Sequence, residues 1–278
     1  MQKSFKEDKS ALYVVSTPIG NLKDMTFRAV EILNEVDYIL AEDTRNSGIL
    51  LAHYQIKTPM ISYHEFNKTA QEDRIMDYLS QGKNFALISD AGTPGVSDPG
   101  YEIILRVIEG GYHVIPIPGA SAILAALVVS GLVIQPFTFI GFLPRKIGEQ
   151  KHILNAYVKR FETLVIYESP MRITKTLNVL FDMFGDRKIT LARELTKTFE
   201  SILRTTLKES LDMEHMQKGE YVLIVEGHEE SLVFDESIES HVTSLIKQGI
   251  AEKDAMKTVA QIRNIKKSDV YKAFKIDK

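Results

Sequence analysis

The chain has 278 residues, is 44% hydrophobic, carries a formal net charge of -3 and contains no cysteine. That length suggests two modest domains and an appendage, with ample apolar content for a core. Disulfides and Cys-ligated metals are excluded, and no global basic field announces nucleic acid. The charge is nevertheless uneven. From residue 247 onward nine Lys/Arg face four Asp/Glu, leaving +5 on the tail and -8 on the rest. A basic C-terminal appendage on an acidic body is expected. The polar opening MQKSFKEDKSA does not read as a secretory leader, and the longest apolar run, 120–134, is too short for a bilayer. A cytoplasmic setting without membrane contact follows as an expectation.

The first half alternates strand, loop and helix. ALYVVST reads as a strand, PIGNLKDM as a loop and TFRAVEILNEV as a helix. VDYILAED is the next strand and TRNSGILLAHY the next helix. A helix near 71–81 follows ISYHEF, then the strand FALISD, the helix YEIILRVIEGG, the strand GYHVIPIP and the small-residue helix GASAILAALVVSG. Such alternation predicts βα units and a mainly parallel sheet.

Between FALI and its helix lies SDAGTPGVSDPG, residues 89–100, with three glycines and two prolines. Asp98 and Pro99 read as N-cap and N1 of the following helix. Glycine and proline shape this loop, and ligands bind beyond the carboxyl ends of strands in open α/β sheets. The loop is neither GxxxxGK[ST] nor GxGxxG and has no Lys or Arg. A phosphate-rich ligand therefore lacks a local counter-charge. A lone carboxylate with exposed backbone suits a ligand bearing hydroxyls, amines or positive charge, such as a sulfonium cofactor.

Beyond residue 137 the strands are FTFIGFLP, TLVIYES, RKITLARE and GEYVLIVEG, with helices expected over 149–161, 170–184 and 208–217. Ser169 and Pro170 read as another N-cap and N1 pair. Residues 229–240 read as a polar linker, and 241–275 as two or three short helices. The division predicted is an N-terminal α/β domain over 1–120, a second α/β domain over 121–230 and a helical appendage over 235–278.

In order, the chain contains STPIGNLKDMTFRA, AEDTRNS, SYHEFN, SDAGTPGVSDPG, PGASA, GFLPRK, YESP, ARELTK and GEYVLIVEG. Together these resemble the tetrapyrrole methylase-like superfamily over essentially the whole chain. AEDTR and ARELTK point to its RNA-directed branch. STPIGN stands where tetrapyrrole-directed relatives carry a GxGPGD-like pattern. The C-terminal GIAEKDAMKTVAQIRNIKKSDVYKAF is similar to that branch's helix-turn-helix-like tail.

The resemblance implies two α/β domains with S-adenosylmethionine in the cleft between them, and a homodimer. It implies 2'-O-ribose methylation of a cytidine in the decoding region of 16S rRNA, in the small ribosomal subunit. Cofactor contacts are implied for Pro18, Gly20, Asp90, Ala91, Gly92, Val96, Ser121, Ala122, Tyr167 and Ile224. Asp90 has a physical case of its own, since a strand-end carboxylate can accept from ribose hydroxyls or attract an ammonium. Ser121 opens a helix whose N–H groups suit a ligand carboxylate.

Methyl transfer needs alignment and removal of the hydroxyl proton. Four clusters mix carboxylates and cations: Glu42, Asp43 and Arg45; His64, Glu65 and Asn67; Arg145 and Lys146; Arg193, Glu194 and Lys197. Glu42 or Asp43 is the first choice of proton acceptor, with Arg193 or Lys197 orienting phosphate. RNA contacts are expected from Arg45, His64, Arg145, Lys146, Lys266 and Lys267, with Lys151, His152, Lys253, Lys257 and Arg263 in the same two basic groups. No HExxH or tight His/carboxylate spacing calls for a metal. Two other readings stay open: a small-molecule methyltransferase, and a non-catalytic ribosome-binding factor that keeps the fold.

Overall fold

The computed structural model describes residues 2–3, 9–64, 67–228, 236–263 and 265–276. The chain divides into two compact units, residues 1–228 and 229–278.

The first unit holds two five-stranded sheets. Strands β1 (Ala11–Val15), β2 (Tyr38–Ala41), β3 (Met60–Ser62), β4 (Phe85–Ile88) and β5 (His113–Ile117) form one sheet in the order β3-β2-β4-β1-β5. All its pairs are parallel. Helices α1 (Phe27–Glu35), α2 (Thr44–His53), α3 (Lys68–Ser80) and α4 (Tyr101–Glu109) cross between the strands. Phe85, Ala86, Leu87 and Ile88 are all buried, as a central parallel strand covered on both faces requires. Phe85 and Leu87 join the core under Ile75, Leu79, Ile103 and Val107. Ala86 and Ile88 face the opposite core with Leu33 and Leu51. Because every crossover returns to a parallel strand, all five carboxyl ends emerge along one edge.

Helix α5 (Ala122–Val129) leads into the second sheet, of β6 (Phe137–Phe142), β7 (Thr163–Glu168), β8 (Lys188–Arg193), β9 (Ser201–Thr206) and β10 (Tyr221–Val225). Its order is β6-β7-β10-β8-β9, with only β6 and β7 parallel. Period-two alternation decides its faces. Leu164, Ile166, Leu223 and Val225 pack with Leu177 and Leu180 of α7 (Ile173–Phe184). Val165, Val222 and Ile224 face the other way, onto Ala126 and Leu127 of α5 and onto Ile19. Each such Leu or Ile removed from water contributes about 1.5–3 kcal/mol. The short helices α6 (Ile147–Asn155) and α8 (Leu207–Leu211) complete the unit.

Several expectations are corrected. Tyr101, not Pro99, opens α4, and its cap is Gly100 at φ 146°. That positive φ favours glycine, a Cβ there would also press on Leu87 Cδ2 at 2.9 Å, and Asp98 is left free of capping. Ser169 and Pro170 lie in a turn before α7, whose cap is Arg172. α6 ends at Asn155 and α8 at Leu211, short of the expected 161 and 217. Strands β3 and β9 have no counterpart among the expected elements. Within the expected linker, Ile238 already opens a helix, while 229–235 lie outside the described residues.

The second unit is a cluster of α9 (Ile238–Lys247), α10 (Glu252–Ile262) and α11 (Lys267–Lys275) around Val242, Met256, Val259, Val270 and Phe274. Among the described residues, no helix is long and apolar enough to cross a membrane.

One glycine marks a tight closure. A Cβ on Gly227 would lie 2.0 Å from the carbonyl oxygen of Phe161 and 2.3 Å from its carbon. Both atoms are backbone and cannot rotate away. Gly227→Ala is expected to cost about 1–3 kcal/mol by overpacking. Urea unfolding should show the midpoint falling at unchanged slope, and a midpoint equal to the parent's would contradict this.

Candidate active site

A cavity of about 460 Å³ opens between the two sheets of the first unit. The glycine- and proline-rich loop after β4 supplies Asp90, Ala91, Gly92, Thr93, Val96, Ser97 and Asp98. The start of α5 supplies Ser121, Ala122 and Ile123, the second sheet supplies Phe142, Tyr167, Tyr221 and Val222, and the segments after β8 and before β10 supply Leu195 and Glu220. The cavity therefore lies beyond the carboxyl end of β4.

The loop's shape has visible causes. Gly92 and Gly95 take φ of 78° and 80°, open to glycine at little cost. Thr17 and Gly92 exchange backbone hydrogen bonds of 2.8 and 3.1 Å, and Thr17 Oγ1 donates to the Ser89 carbonyl. This pins the loop to the first turn, so that Ile19 reaches the cavity.

The lining is apolar with acidic points. Among the described residues, no Lys, Arg or His lines it. Burial, and then Asp90, raise the Asp98 carboxyl above its ordinary value against a hydrogen bond from Ser89. Tyr167 stands opposite. Burial first, then the charges of Asp98 and Glu220, push its hydroxyl up to about 12, against a hydrogen bond from the Ile123 backbone. Such a site disfavours anions and suits a cationic, partly apolar ligand. Ser121 caps α5, its Oγ accepting from the Leu124 N–H at 3.5 Å.

The predicted cofactor residues separate into two groups. Asp90, Ala91, Gly92, Val96, Ser121, Ala122 and Tyr167 line the cavity together. Pro18, Gly20 and Ile224 do not. Ile224 pairs with Val165 and is fully buried, one step deeper than Val222, which pairs with Tyr167. Both share a face, but only Val222 reaches the opening. Pro18 is buried. Gly20 makes room for Lys197, whose Cγ would lie 2.5 Å from a Cβ there.

The predicted catalytic clusters also divide. Asp43 caps α2, accepting from the Arg45 backbone at 2.8 Å and from its guanidinium at 2.7 and 3.1 Å. Those bonds hold its carboxyl near 2, a poor proton acceptor. Glu42 differs. Half-buried at the end of β2, it is pushed up by burial, then by Asp98 and Asp90, while His64 acts the other way. Glu42 thus stands beside two carboxylates of the cavity without lining it itself. The His64 backbone donates to Asn67 Oδ1, and Glu65 lies outside the described residues.

Arg193 Nε donates to the Lys218 carbonyl. Lys197 Nζ bonds Glu194 and Glu220, each at 2.9 Å. Burial works against that charge, but the bonds to Glu220 and Glu194 outweigh it and raise the ammonium. Both cations are engaged within the fold. No residue pattern marks the backbone around them. Glu194 and Thr196 take φ of 52° and 67° without being glycine, and flank Leu195 on the cavity wall. Such strain gathers where a site must be shaped.

Arg145 and Lys146 are exposed beyond β6, and Lys146 pairs with Glu149 at 3.2 Å. Arg45 is exposed but paired with Asp43. Lys266 and Lys267 sit exposed at the start of α11 in the second unit. Arg263 is a strut there, donating to the carbonyls of Glu236 and Ser237. Among the described residues, no cluster of three or more His, Cys, Asp or Glu is placed to hold a metal.

The profile of the family described as Tetrapyrrole (Corrin/Porphyrin) Methylases matches residues 11–210. Ribosomal RNA small subunit methyltransferase I of Bacillus subtilis (strain 168) is 46% identical, over 98% of this chain and 96% of that one. The protein of the same name from Synechocystis sp. is 42% identical over 94% and 95%. Among solved structures, a diphthine synthase has a TM-score of 0.64 at 16% identity, covering 78% of this chain and 90% of its own. A uroporphyrin-III-C-methyltransferase from Thermus thermophilus has 0.56 at 18%, covering 78% and 94%. At those identities the structural likeness speaks for the fold.

Proposed function

The chain belongs to the tetrapyrrole methylase family, in the group of ribosomal RNA small subunit methyltransferase I proteins, and from that premise we propose that it methylates a ribose 2'-hydroxyl of a cytidine in the decoding region of 16S rRNA. The observation that carries the cofactor half of the reading is the cavity itself, acidic and apolar, without a lining cation among the described residues. S-adenosylmethionine fits that chemistry, and when bound supplies a methyl group activated by positive charge on sulfur.

The chain's own residues divide the work. Asp98 and Asp90 would hold the positive and hydroxyl-bearing parts of the cofactor. Ala122 and Ile123, at the first turn of α5, offer close backbone approach to a carboxylate. Val96, Ile123, Leu195 and Val222 form apolar walls suited to a purine. Glu42 is the proton acceptor for the ribose hydroxyl, because its raised value brings it closer to working pH than Asp43. Phosphate contacts from basic side chains, Arg145 and the tail lysines among them, fix the RNA while its target nucleotide is unstacked.

The proposal includes a cytoplasmic homodimer. Leu124 and Val128 leave an exposed apolar strip on α5 that a second copy could cover. The test is transfer of labelled methyl from S-adenosylmethionine to unmodified small subunits, to naked rRNA and to a tetrapyrrole. Label on RNA supports the reading. Label on the tetrapyrrole alone, or cofactor binding with no transfer to either RNA, overturns it.

A further inference from the structure

A single exposed phenylalanine on a protein surface is ordinary. Phe142 differs, because a local break in strand geometry puts it on the cavity wall. Strand β6 reads FTFIGF, and strict alternation would place Phe142 on the same face as Ile140. Ile140 packs into the core with α7. The pairing with β7 departs from alternation. Phe137, Thr138 and Phe139 stand opposite Thr163, Leu164 and Val165, but Gly141 then stands opposite Ile166 and Phe142 opposite Tyr167. Ile140 is the extra residue. The shift turns Phe142 onto the cleft face, where Phe139 and Tyr167 also lie, and sends Leu143 into the α7 core instead. Gly141 permits it with a φ of 78°, and a Cβ there would meet nothing within 4 Å. Glycine therefore serves the torsion and not the space. Bulges of this kind re-aim side chains beside active sites.

The position reached is the mouth of the cavity. Phe142, Tyr167 and Val222 stand in one row across β6, β7 and β10, and all three line the cavity. Exposure falls along the row from 58% at Phe142, through half-buried Tyr167, to 6% at Val222. Strand β6 is an edge strand, so no further strand covers Phe142. The cavity thus deepens toward Val222 and opens past Phe142. Tyr167 is braced edge-on between two rings, its centroid 4.8 Å from that of Phe139 and 5.5 Å from that of Phe142. Edge-to-face contacts favour a fixed mutual orientation of the rings.

The chemistry of the mouth narrows what can sit there. Among the described residues no cation lines the cavity, so its wall has nothing to hold a phosphate. An exposed aromatic ring suits a flat, uncharged group. A nucleobase drawn out of an RNA stack is such a group, and aromatic side chains replace the stacking it loses. We infer that Phe142 is the stacking platform for the base of the nucleotide that is methylated. This rests on the RNA-directed reading above and deepens it, by naming the side chain that receives the unstacked base. The cofactor's purine keeps the walls at Val96, Ile123, Leu195 and Val222, and the base enters over Phe142.

The test compares F142A, F142L and F142W with the parent, each as the full chain. Methylation kinetics on unmodified small subunits, calorimetry with S-adenosylmethionine and light scattering are measured for each. F142A should lower kcat/KM for subunits about 5- to 100-fold, the range for loss of one base–aromatic stack. F142L is apolar but has no π face and should fall with it, whereas F142W should stay within about threefold of the parent. Cofactor affinity should hold within about twofold in all three. The melting temperature and the mass in solution should match the parent's, since the side chain is largely exposed. The stacking role is overturned if F142A keeps the parent's kcat/KM, or if leucine restores activity as well as tryptophan does. It is also overturned if cofactor affinity falls as far as activity, which puts the ring on the cofactor, or if the mass changes, which puts it at a subunit interface. In each of these cases methylation of RNA by the parent stands. If the parent transfers no methyl to RNA, the RNA-directed reading itself fails and the stacking role falls with it.

Discussion

Glu42→Gln is expected to lower kcat by about 10²–10⁴, the usual contribution of a positioned acid or base. Cofactor affinity should hardly move, because Glu42 is not on the cavity wall. The pH profile carries the sign. A base works when deprotonated, so parent activity is lost as pH falls through the raised value of Glu42, above the ordinary 4.5. The Gln variant should have no such limb. Stability moves the other way. The fold disfavours the charged carboxylate, so Glu42 costs stability once pH rises past its ordinary value. The variant should therefore melt at or above the parent temperature near neutral pH, which separates lost chemistry from lost folding. Retention of kcat within about threefold would remove Glu42 from the reaction.

Asp98→Asn is expected to weaken S-adenosylmethionine binding by about 10- to 100-fold, the range for a charge-assisted contact of about 1.5–3 kcal/mol. The residue is available for that role because Gly100, not Asp98, caps α4. A second consequence follows from its neighbour. Asp98 contributes to the upward push on Glu42, so neutralising it should move the acid limb of kcat to lower pH. Calorimetry reads the first effect and a saturating-cofactor pH profile the second. Unchanged affinity together with an unmoved limb would make Asp98 a purely structural turn residue.

How much of this was legible in the residues differs from place to place. Strands β1, β2, β4 and β5 are short apolar runs that lead into loops, and parallel burial makes such runs readable. Strand β3 has only three half-buried residues, and β9, SILRTT, has no alternation to reveal it. Asp98-Pro99 has the chemistry of a cap, but Gly100, at φ 146°, holds the cap position instead. Asp43 stands directly before a helix, and reading it as a cap from sequence would have separated it from Glu42. The face of β10 toward the cleft could be read from period two. Which residue reaches the opening could not, because the pairing with β7 sets the depth of Val222 and Ile224. The strained turn around Leu195 had no signal, since Glu and Thr rarely take positive φ.

The proposed methyl acceptor is a ribose hydroxyl on RNA. It is tested most directly by alkaline digestion of labelled 16S rRNA recovered from methylated small subunits. Alkali cleaves through the free 2'-oxygen, so a 2'-O-methyl group protects the bond that follows it. Label is expected in an alkali-resistant dinucleotide that begins with cytidine and maps to the decoding region. Label released as a mononucleotide would place the methyl on a base and contradict it.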